Sequence, residues 1–401
     1  MQPSRRAIIA AGALLPAGPS AAGAAVKDRS DFPFDGVYLD AAFTHPLGRF
    51  AAAAGAAYLA ARLTGPQAIS PRQNPRRAAV ERFARLINAE PADIAVVPST
   101  LVGENLVNAA LSTGPGAGVV TDALHYDASL ALYGEMARRG AYVAVARPKG
   151  GAIDLADIRR LITDQTRLIA VSLVSGYTGF EYDLAELCAL AHARGVLVYA
   201  DIVQAAGAVP VDVKASGVDF ACCGTYKWLM GDFGVAFLYV RRDRLDRLTR
   251  PEVGWRQVRS QDSHVFPFET PGPALGAYEL ASDAVGLFEV STPAWGALAI
   301  ASASLDYVLN LGVNAIASRR QPLIDHLQAV LPARGFIPLT PQGSRTPIVA
   351  FAVKNAAQRF DARLAAEHIT ISTYQNRIRI SPSVYNSPED IERLIQALSV
   401  Q

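Results

Sequence analysis

Cysteine is nearly absent from this chain: 401 residues carry three, Cys188, Cys222 and Cys223. An odd number, with two adjacent in an apolar run, builds no disulfide framework, and such thiols read as core residues. Charge of one sign is missing as well. The 38 basic and 36 acidic residues leave a formal net charge of +2, with no long basic run, so nothing recommends a nucleic-acid partner. A strand followed by Gly-x-Gly-x-x-Gly is also absent. Gly114-Pro115-Gly116 lacks the third glycine and precedes its strand, which argues against a dinucleotide-dependent oxidoreductase. There is no internal repeat, and no metal site is assigned.

What is present is a large apolar fraction. With 51% hydrophobic and 18% charged residues, the chain can bury a sizeable core, and alternating apolar strands and helical stretches predict α/β layers. Its most informative run is Cys222-Cys223-Gly224-Thr225-Tyr226-Lys227-Trp228-Leu229, where one lysine ends an apolar strand. Upstream, Val196 to Ala200 reads as a buried strand that delivers Asp201 at its carboxyl end, with Gln204 three positions on. Pyridoxal phosphate asks a protein for this pair: an amine to hold its aldehyde and a carboxylate to keep its ring nitrogen protonated. Lys227 and Asp201 fit those roles. One crossover and the strand Val218 to Cys223 separate them, bringing both to the same sheet edge. Gln204 can then reach the phenolic oxygen and the Tyr226 hydroxyl the phosphate.

Taken singly, each residue has a plainer explanation: a cap, a turn, a solvated charge. The ordered set is what counts. Asp201, Gln204, a Tyr-Lys pair and the turn Gly231-Asp232-Phe233-Gly234 entering an apolar strand resemble the class V aminotransferases of the fold type I pyridoxal-phosphate superfamily. Cysteine desulfurases, kynureninases and isopenicillin N epimerase-like proteins belong to that group. The resemblance covers nearly the whole chain after its leader, and implies a mostly parallel seven-stranded-type sheet in a large cofactor domain beside a smaller α+β carboxyl-terminal domain. It also implies a homodimer with active sites at the interface.

Further sites follow from the resemblance. The strand Ile94 to Pro98 and the turn from Ser99 align with the phosphate site, with Thr100 and the Leu101 amide as donors; the same turn also reads as an ordinary N-cap. Tyr126 aligns best with the ring that stacks on the pyridine, and His125 is its rival. The run Arg377-Ile378-Arg379-Ile380-Ser381-Pro382-Ser383-Val384-Tyr385-Asn386 resembles the motif in which a guanidinium grips the substrate α-carboxylate, assigned here to Arg379. Alternation puts Arg377 on the same strand face. Two departures stand out. Gly176 replaces a frequent asparagine, and Gly272 stands where the segment reaching into a partner subunit has threonine before proline, which leaves open whether Thr270 takes that place. Cysteine desulfurases carry a nucleophilic cysteine shortly before the carboxylate-binding arginine, and Asn355 to Gln375 contains none.

Organisation can be read too. Arg5-Arg6, a weakly apolar stretch too short to span a bilayer, and the small-residue site Ala22-Gly23-Ala24 predict a twin-arginine signal peptide over 1–25. Export of the folded chain to the periplasm or medium follows, with no membrane partner after cleavage. Residues 26–49 are expected to join the small domain, 50–289 to form the large domain and 290–401 the small one. The loop Arg250 to Pro273 is too long for a passive connection and is expected at the dimer interface, with Trp255 and Arg256 as contacts. The reading as a whole is an enzyme acting on the α-amino group of a small amino-acid substrate, transamination favoured. Lyase or epimerase chemistry on the same fold is the alternative, and a cofactor-binding partner protein is the non-enzymatic one.

Overall fold

A computed structural model describes residues 29–65 and 74–399; the leader expected over 1–25 lies outside the described residues. After a two-residue strand β1 (Val37–Tyr38), seven strands build the central sheet. They are β2 (Ile94–Val97), β3 (Gly118–Asp122), β4 (Val143–Ala146), β5 (Thr166–Ser172), β6 (Leu197–Asp201), β7 (Phe220–Gly224) and β8 (Ala236–Val240). Their spatial order is β2-β8-β7-β6-β5-β3-β4, and only β8 runs antiparallel to its neighbours.

The sequence forms these strands because both sheet faces are covered. β2, β3, β6, β7 and β8 are buried at every position, so they read as unbroken apolar runs rather than alternating ones. Alternation survives in where the side chains go. Val198 and Ala200 join the core on one face, Leu197 and Tyr199 the core on the other. Full burial of a valine or leucine side chain there contributes about 1.5–3 kcal/mol. Because β2, β3, β5, β6 and β7 point the same way, their carboxyl ends open along one edge, where parallel sheets hold their ligands.

Residues 250–280 differ from the loop expected there. Their central part is a β-hairpin, β9 (Val258–Asp262) pairing antiparallel with β10 (Ala277–Leu280), whose tip includes Phe266, Phe268 and Thr270. The strands are short and largely exposed, so no buried apolar pattern marks them in sequence.

Beyond them β11 (Ile337–Pro338), β12 (Val349–Ala352), β13 (Ile369–Thr370), β14 (Ser372–Thr373) and β15 (Arg377–Ile380) belong to a second unit. Four of these make an antiparallel sheet ordered β11-β12-β15-β14, and β13 pairs in parallel with β1. Val37 and Leu39 share its core with Leu323, Phe351, Ile378 and Leu394. The helix Pro388–Leu398 closes this core. Ser387 caps it in a capping box with Asp390, Pro388 takes the first turn, and Ile391, Leu394, Ile395 and Leu398 form the buried stripe. The helix Trp295–Leu311 packs on the helices Arg49–Thr64 and Pro75–Leu86 and sends Leu298 and Leu305 into the core of the central sheet.

Candidate active site

A cavity of about 440 Å³ opens at the carboxyl edge of the sheet and is closed on its far side by β15. Thr100, Tyr126, Asp201, Gln204, Tyr226, Lys227 and Arg379 all line it; Leu101 and His125 do not.

Lys227 stands on the turn between β7 and β8. That turn is fixed by backbone bonds from Thr225 N–H to Val235 O (3.1 Å) and from Gly231 N–H to Thr225 O (2.8 Å). The indole of the next residue, Trp228, donates to Gln204 Oε1 at 2.8 Å. Among the described residues the Lys227 ammonium makes no hydrogen bond and no ion pair; its nearest ring is Tyr226, 5.6 Å away. Desolvation lowers its pKa to about 8, against the opposing pull of Asp201. Asp201 ends β6, in register with Ser172 on β5 and Cys222 on β7. Its Oδ1 accepts the Val203 N–H at 2.9 Å, and burial raises its pKa to about 6 although His125 and Lys227 draw it down.

His125 lies behind this surface. Its Nε2 is 3.0 Å from Glu104 Oε1 and its Nδ1 is 2.8 Å from Ser172 Oγ. Ser129 Oγ donates to the same carboxylate at 2.6 Å, and the Tyr133 hydroxyl donates to it as well. Burial works against charge on the imidazole, yet the Glu104 carboxylate beside it prevails and raises its pKa. Tyr126, half exposed, is the aromatic residue of that segment that reaches the cavity.

Thr100 opens the helix Thr100–Ala110, capped by Ser99 Oγ accepting the Val102 N–H at 3.2 Å. Its own hydroxyl accepts the Gly224 N–H at 2.9 Å, tying the helix start to the end of β7. The Leu101 amide belongs to the first turn, where N–H groups lack partners within the helix. Gln204 is engaged at both ends of its amide, since Nε2 also donates to Ala42 O at 2.9 Å, which leaves one N–H.

Arg379 is anchored. Nη2 donates to Asp40 Oδ1 (3.1 Å) and to Ser372 Oγ (2.9 Å), and Nη1 donates to Gly176 O (3.1 Å). Ser372 Oγ in turn donates to the Asp40 carboxylate at 2.8 Å. Nε of Arg379 is buried without a partner. A side chain added at Gly176 would meet Gln204 Nε2 at 3.5 Å and Arg379 Nη1 at 4.0 Å, ordinary contact distances, so its absence leaves room at the cavity wall. Thr270 sits in the hairpin tip, its carbonyl 2.6 Å from His264 Nδ1, and does not line the cavity. Arg256 pairs with Glu289 of its own chain at 3.3 Å, while Trp255 is 60% exposed. Asp40, Glu104, Ser172 and Ser372 were not singled out from the sequence. Glu104 carried a signal: it is a lone acid on the face of a helix whose neighbours Gly103, Leu106 and Val107 are buried.

This arrangement can hold a planar anionic cofactor and an amino acid. The aminotransferase class-V family profile matches residues 74–394. The chain belongs to that family. An uncharacterized aminotransferase of Bacillus subtilis is 28% identical over 322 residues, 80% of this chain and 82% of its own length. The cysteine desulfurase of Shigella flexneri is 29% identical over 338 residues, 79% and 80% of the two chains. Among solved structures, the cystine C-S lyase C-DES with its product cysteine persulfide superimposes with a TM-score of 0.77 at 21% identity, over 91% of this chain and 97% of that one. With glycine linked to its pyridoxal phosphate, C-DES gives a TM-score of 0.79 at 21% identity, over 93% and 99%. The fold is therefore that of fold type I pyridoxal-phosphate enzymes, and the class-V protein described here is an enzyme of that cofactor family.

Its residues fit the group. A buried amine without an ion partner, a carboxylate with one oxygen unused by the protein, an open helix start and an orphaned guanidinium N–H line one cavity. Among the described residues no cluster of metal-ligating side chains occurs.

Proposed function

We propose that this class-V enzyme is a carbon–sulfur lyase that uses pyridoxal 5′-phosphate to eliminate a sulfur substituent from the β-carbon of an amino acid. The observation that carries the proposal is a cavity with a buried lysine and no thiol. A cysteine desulfurase and a cystine C-S lyase are among its relatives, which favours sulfur chemistry over the transamination expected from the sequence. Sulfur transfer onto an enzyme thiol needs a reactive cysteine. Cys188, Cys222 and Cys223 are all buried, and burial pushes the Cys188 thiol up to about 12 and the other two well above their usual range. Elimination into solvent is the sulfur reaction left to this chain.

In this reading Lys227 holds the cofactor's aldehyde, Asp201 accepts a hydrogen bond from its ring nitrogen, Thr100 and the N–H groups of its helix start hold the phosphate, and Tyr126 covers the ring. Bound there, the cofactor supplies a sink for the electron pair left at the substrate's Cα. Arg379 orients the α-carboxylate through its unpartnered Nε, and Asp40 and Ser372 keep the guanidinium in place. Once the substrate's own amine has taken its place, Lys227 Nζ, whose pKa of about 8 as a free amine leaves a neutral fraction near pH 7, would take the α-proton. The β-sulfur leaves with its bonding pair. The exposed hairpin arm supports a homodimer, and Arg5-Arg6 with the small-residue site after it supports export through the twin-arginine route.

The test is spectral and chemical. The purified protein should absorb near ~420 nm, as lysine-bound cofactor does, and borohydride should fix the label in the wild type but not in Lys227→Ala. With L-cystine as substrate, pyruvate and ammonia should appear with a persulfide and without any added keto acid. Product formation that depends on an added keto acid would overturn elimination and leave transamination, the second reading, which the Bacillus relative's name favours.

A further inference from the structure

We infer that Arg377 is a second anion-binding group of this cavity, and that the substrate is an amino acid carrying a second carboxylate. The inference rests on the proposed function for the α-carboxylate and goes beyond it for the rest of the substrate.

Arg377 and Arg379 occupy alternate positions on β15, so both project to one face, and both line the cavity. Their charges are treated differently. Arg379 is met by Asp40 at 3.1 Å. Arg377 has no carboxylate within ion-pairing distance among the described residues. It rests on two rings, its guanidinium carbon 4.1 Å from the Tyr374 centroid and 4.8 Å from that of Tyr177, with a hydrogen bond to the Tyr374 side chain, a long bond from Nη1 to Tyr177 O at 3.4 Å, and the Asp127 carboxylate attracting it from beyond ion-pairing distance.

The acids nearby are already engaged. Asp40 serves Arg379 and Ser372, Asp201 accepts the Val203 N–H and faces Lys227, and Asp127 accepts the Tyr177 hydroxyl. A guanidinium held against aromatic rings, partly shielded from water and with no carboxylate in ion-pairing distance among the described residues, is prepared for a carboxylate that arrives with the ligand, because its fork of N–H groups matches two carboxylate oxygens. Two residues along a strand separate the roots of the arginines by about 7 Å. That spacing suits an acid whose carboxylates are several bonds apart. The second carboxylate can sit on a side chain, as in glutamate, or on the far half of a disulfide-linked amino acid, as in cystine.

Calorimetry with cofactor-loaded full-length protein tests this, comparing glutarate with butyrate, and L-glutamate and L-cystine with L-alanine. Glutarate should bind about tenfold more tightly than butyrate, the effect of one charge-assisted pair. Arg377→Gln should bring the two within twofold, Arg377→Lys should keep part of the difference, and Arg379→Gln should weaken both ligands. Thermal midpoints of all variants show that each is folded. Arg377-dependent tightening confined to cystine assigns the far carboxylate of a disulfide amino acid; tightening confined to glutamate assigns a side-chain carboxylate. Equal affinity for glutarate and butyrate in the wild type, or a preference that survives Arg377→Gln, overturns the inference. A protein that binds no cofactor yet keeps the Arg377-dependent preference loses the lyase reading and retains the anion site; one that binds cofactor without the preference loses the anion site alone.

Discussion

Lys227 is held where a lysine is costly. It is buried, its ammonium has no ion partner among the described residues, and the fold keeps its pKa near 8. Both folded and unfolded chains carry the charge below pH 8, so the folded state bears a constant penalty there. Between pH 8 and about 10.5 the unfolded chain binds more protons, and wild-type stability rises with pH. Replacing the ammonium by a similar apolar chain, Lys227→Met, should therefore stabilise the cofactor-free protein at pH 7 by about 2 kcal/mol. Each tenfold loss of proton affinity on folding costs about 1.4 kcal/mol, and isolating Asp201 takes back part of the gain. The advantage should shrink as pH rises from 8 to 10. Urea unfolding of both proteins at pH 7 and pH 10 measures it, and a variant less stable than wild type at pH 7 would contradict the account of a functional residue kept at the expense of stability.

At the scale of elements, the turn bearing Lys227 is positioned from below by the segment after β6. Gly207 adopts φ of +88°, and a Cβ there would stand 2.4 Å from the Trp228 carbonyl oxygen. Backbone cannot yield as a side-chain tip can. Gly207→Ala should push the Lys227–Trp228 peptide away and break the Trp228–Gln204 bond. We expect a loss of about 2–4 kcal/mol in stability, combining positive-φ strain with the clash, together with weaker retention of pyridoxal phosphate on dialysis. Normal stability and normal cofactor retention would show that the turn is set by its own β7–β8 bonds alone.

For the whole molecule, the notable surface is the hairpin arm. Trp255, Val265, Phe266, Phe268, Leu275 and Tyr278 are all exposed on and around it, with Phe233 exposed at the cavity mouth. Soluble monomers rarely display so many large apolar side chains together. A second copy of the chain covering the arm would account for them, and the protein should then sediment as a dimer. Phe266→Asp combined with Phe268→Asp should shift it to monomer without lowering the thermal midpoint of the subunit fold by more than a few degrees, since neither side chain is packed. A wild-type monomer at micromolar concentration removes this explanation of the arm.

The strand ends and their cargo were legible in the residues alone. Asp201 and Lys227 each close an apolar run, and in a parallel sheet chain direction alone puts such ends on one edge, so the two meet without knowledge of any side-chain contact. The final helix was equally legible, because its cap, its first-turn proline and its apolar spacing are local. Folding in three dimensions settled what depends on partners far along the chain. Asp40 reaches Arg379 across 339 residues, and the His125 imidazole is claimed by Glu104 and Ser172, so Tyr126 and not His125 faces the cavity. The seating of the helix Trp295–Leu311 on the central sheet and the hairpin of β9 and β10 belong here too, since packing of Leu298 and Leu305 decides one and exposed strand pairing the other. Local propensity carries no record of which distant group neutralises a charge or covers a helix face; those choices exist only once the chain has folded.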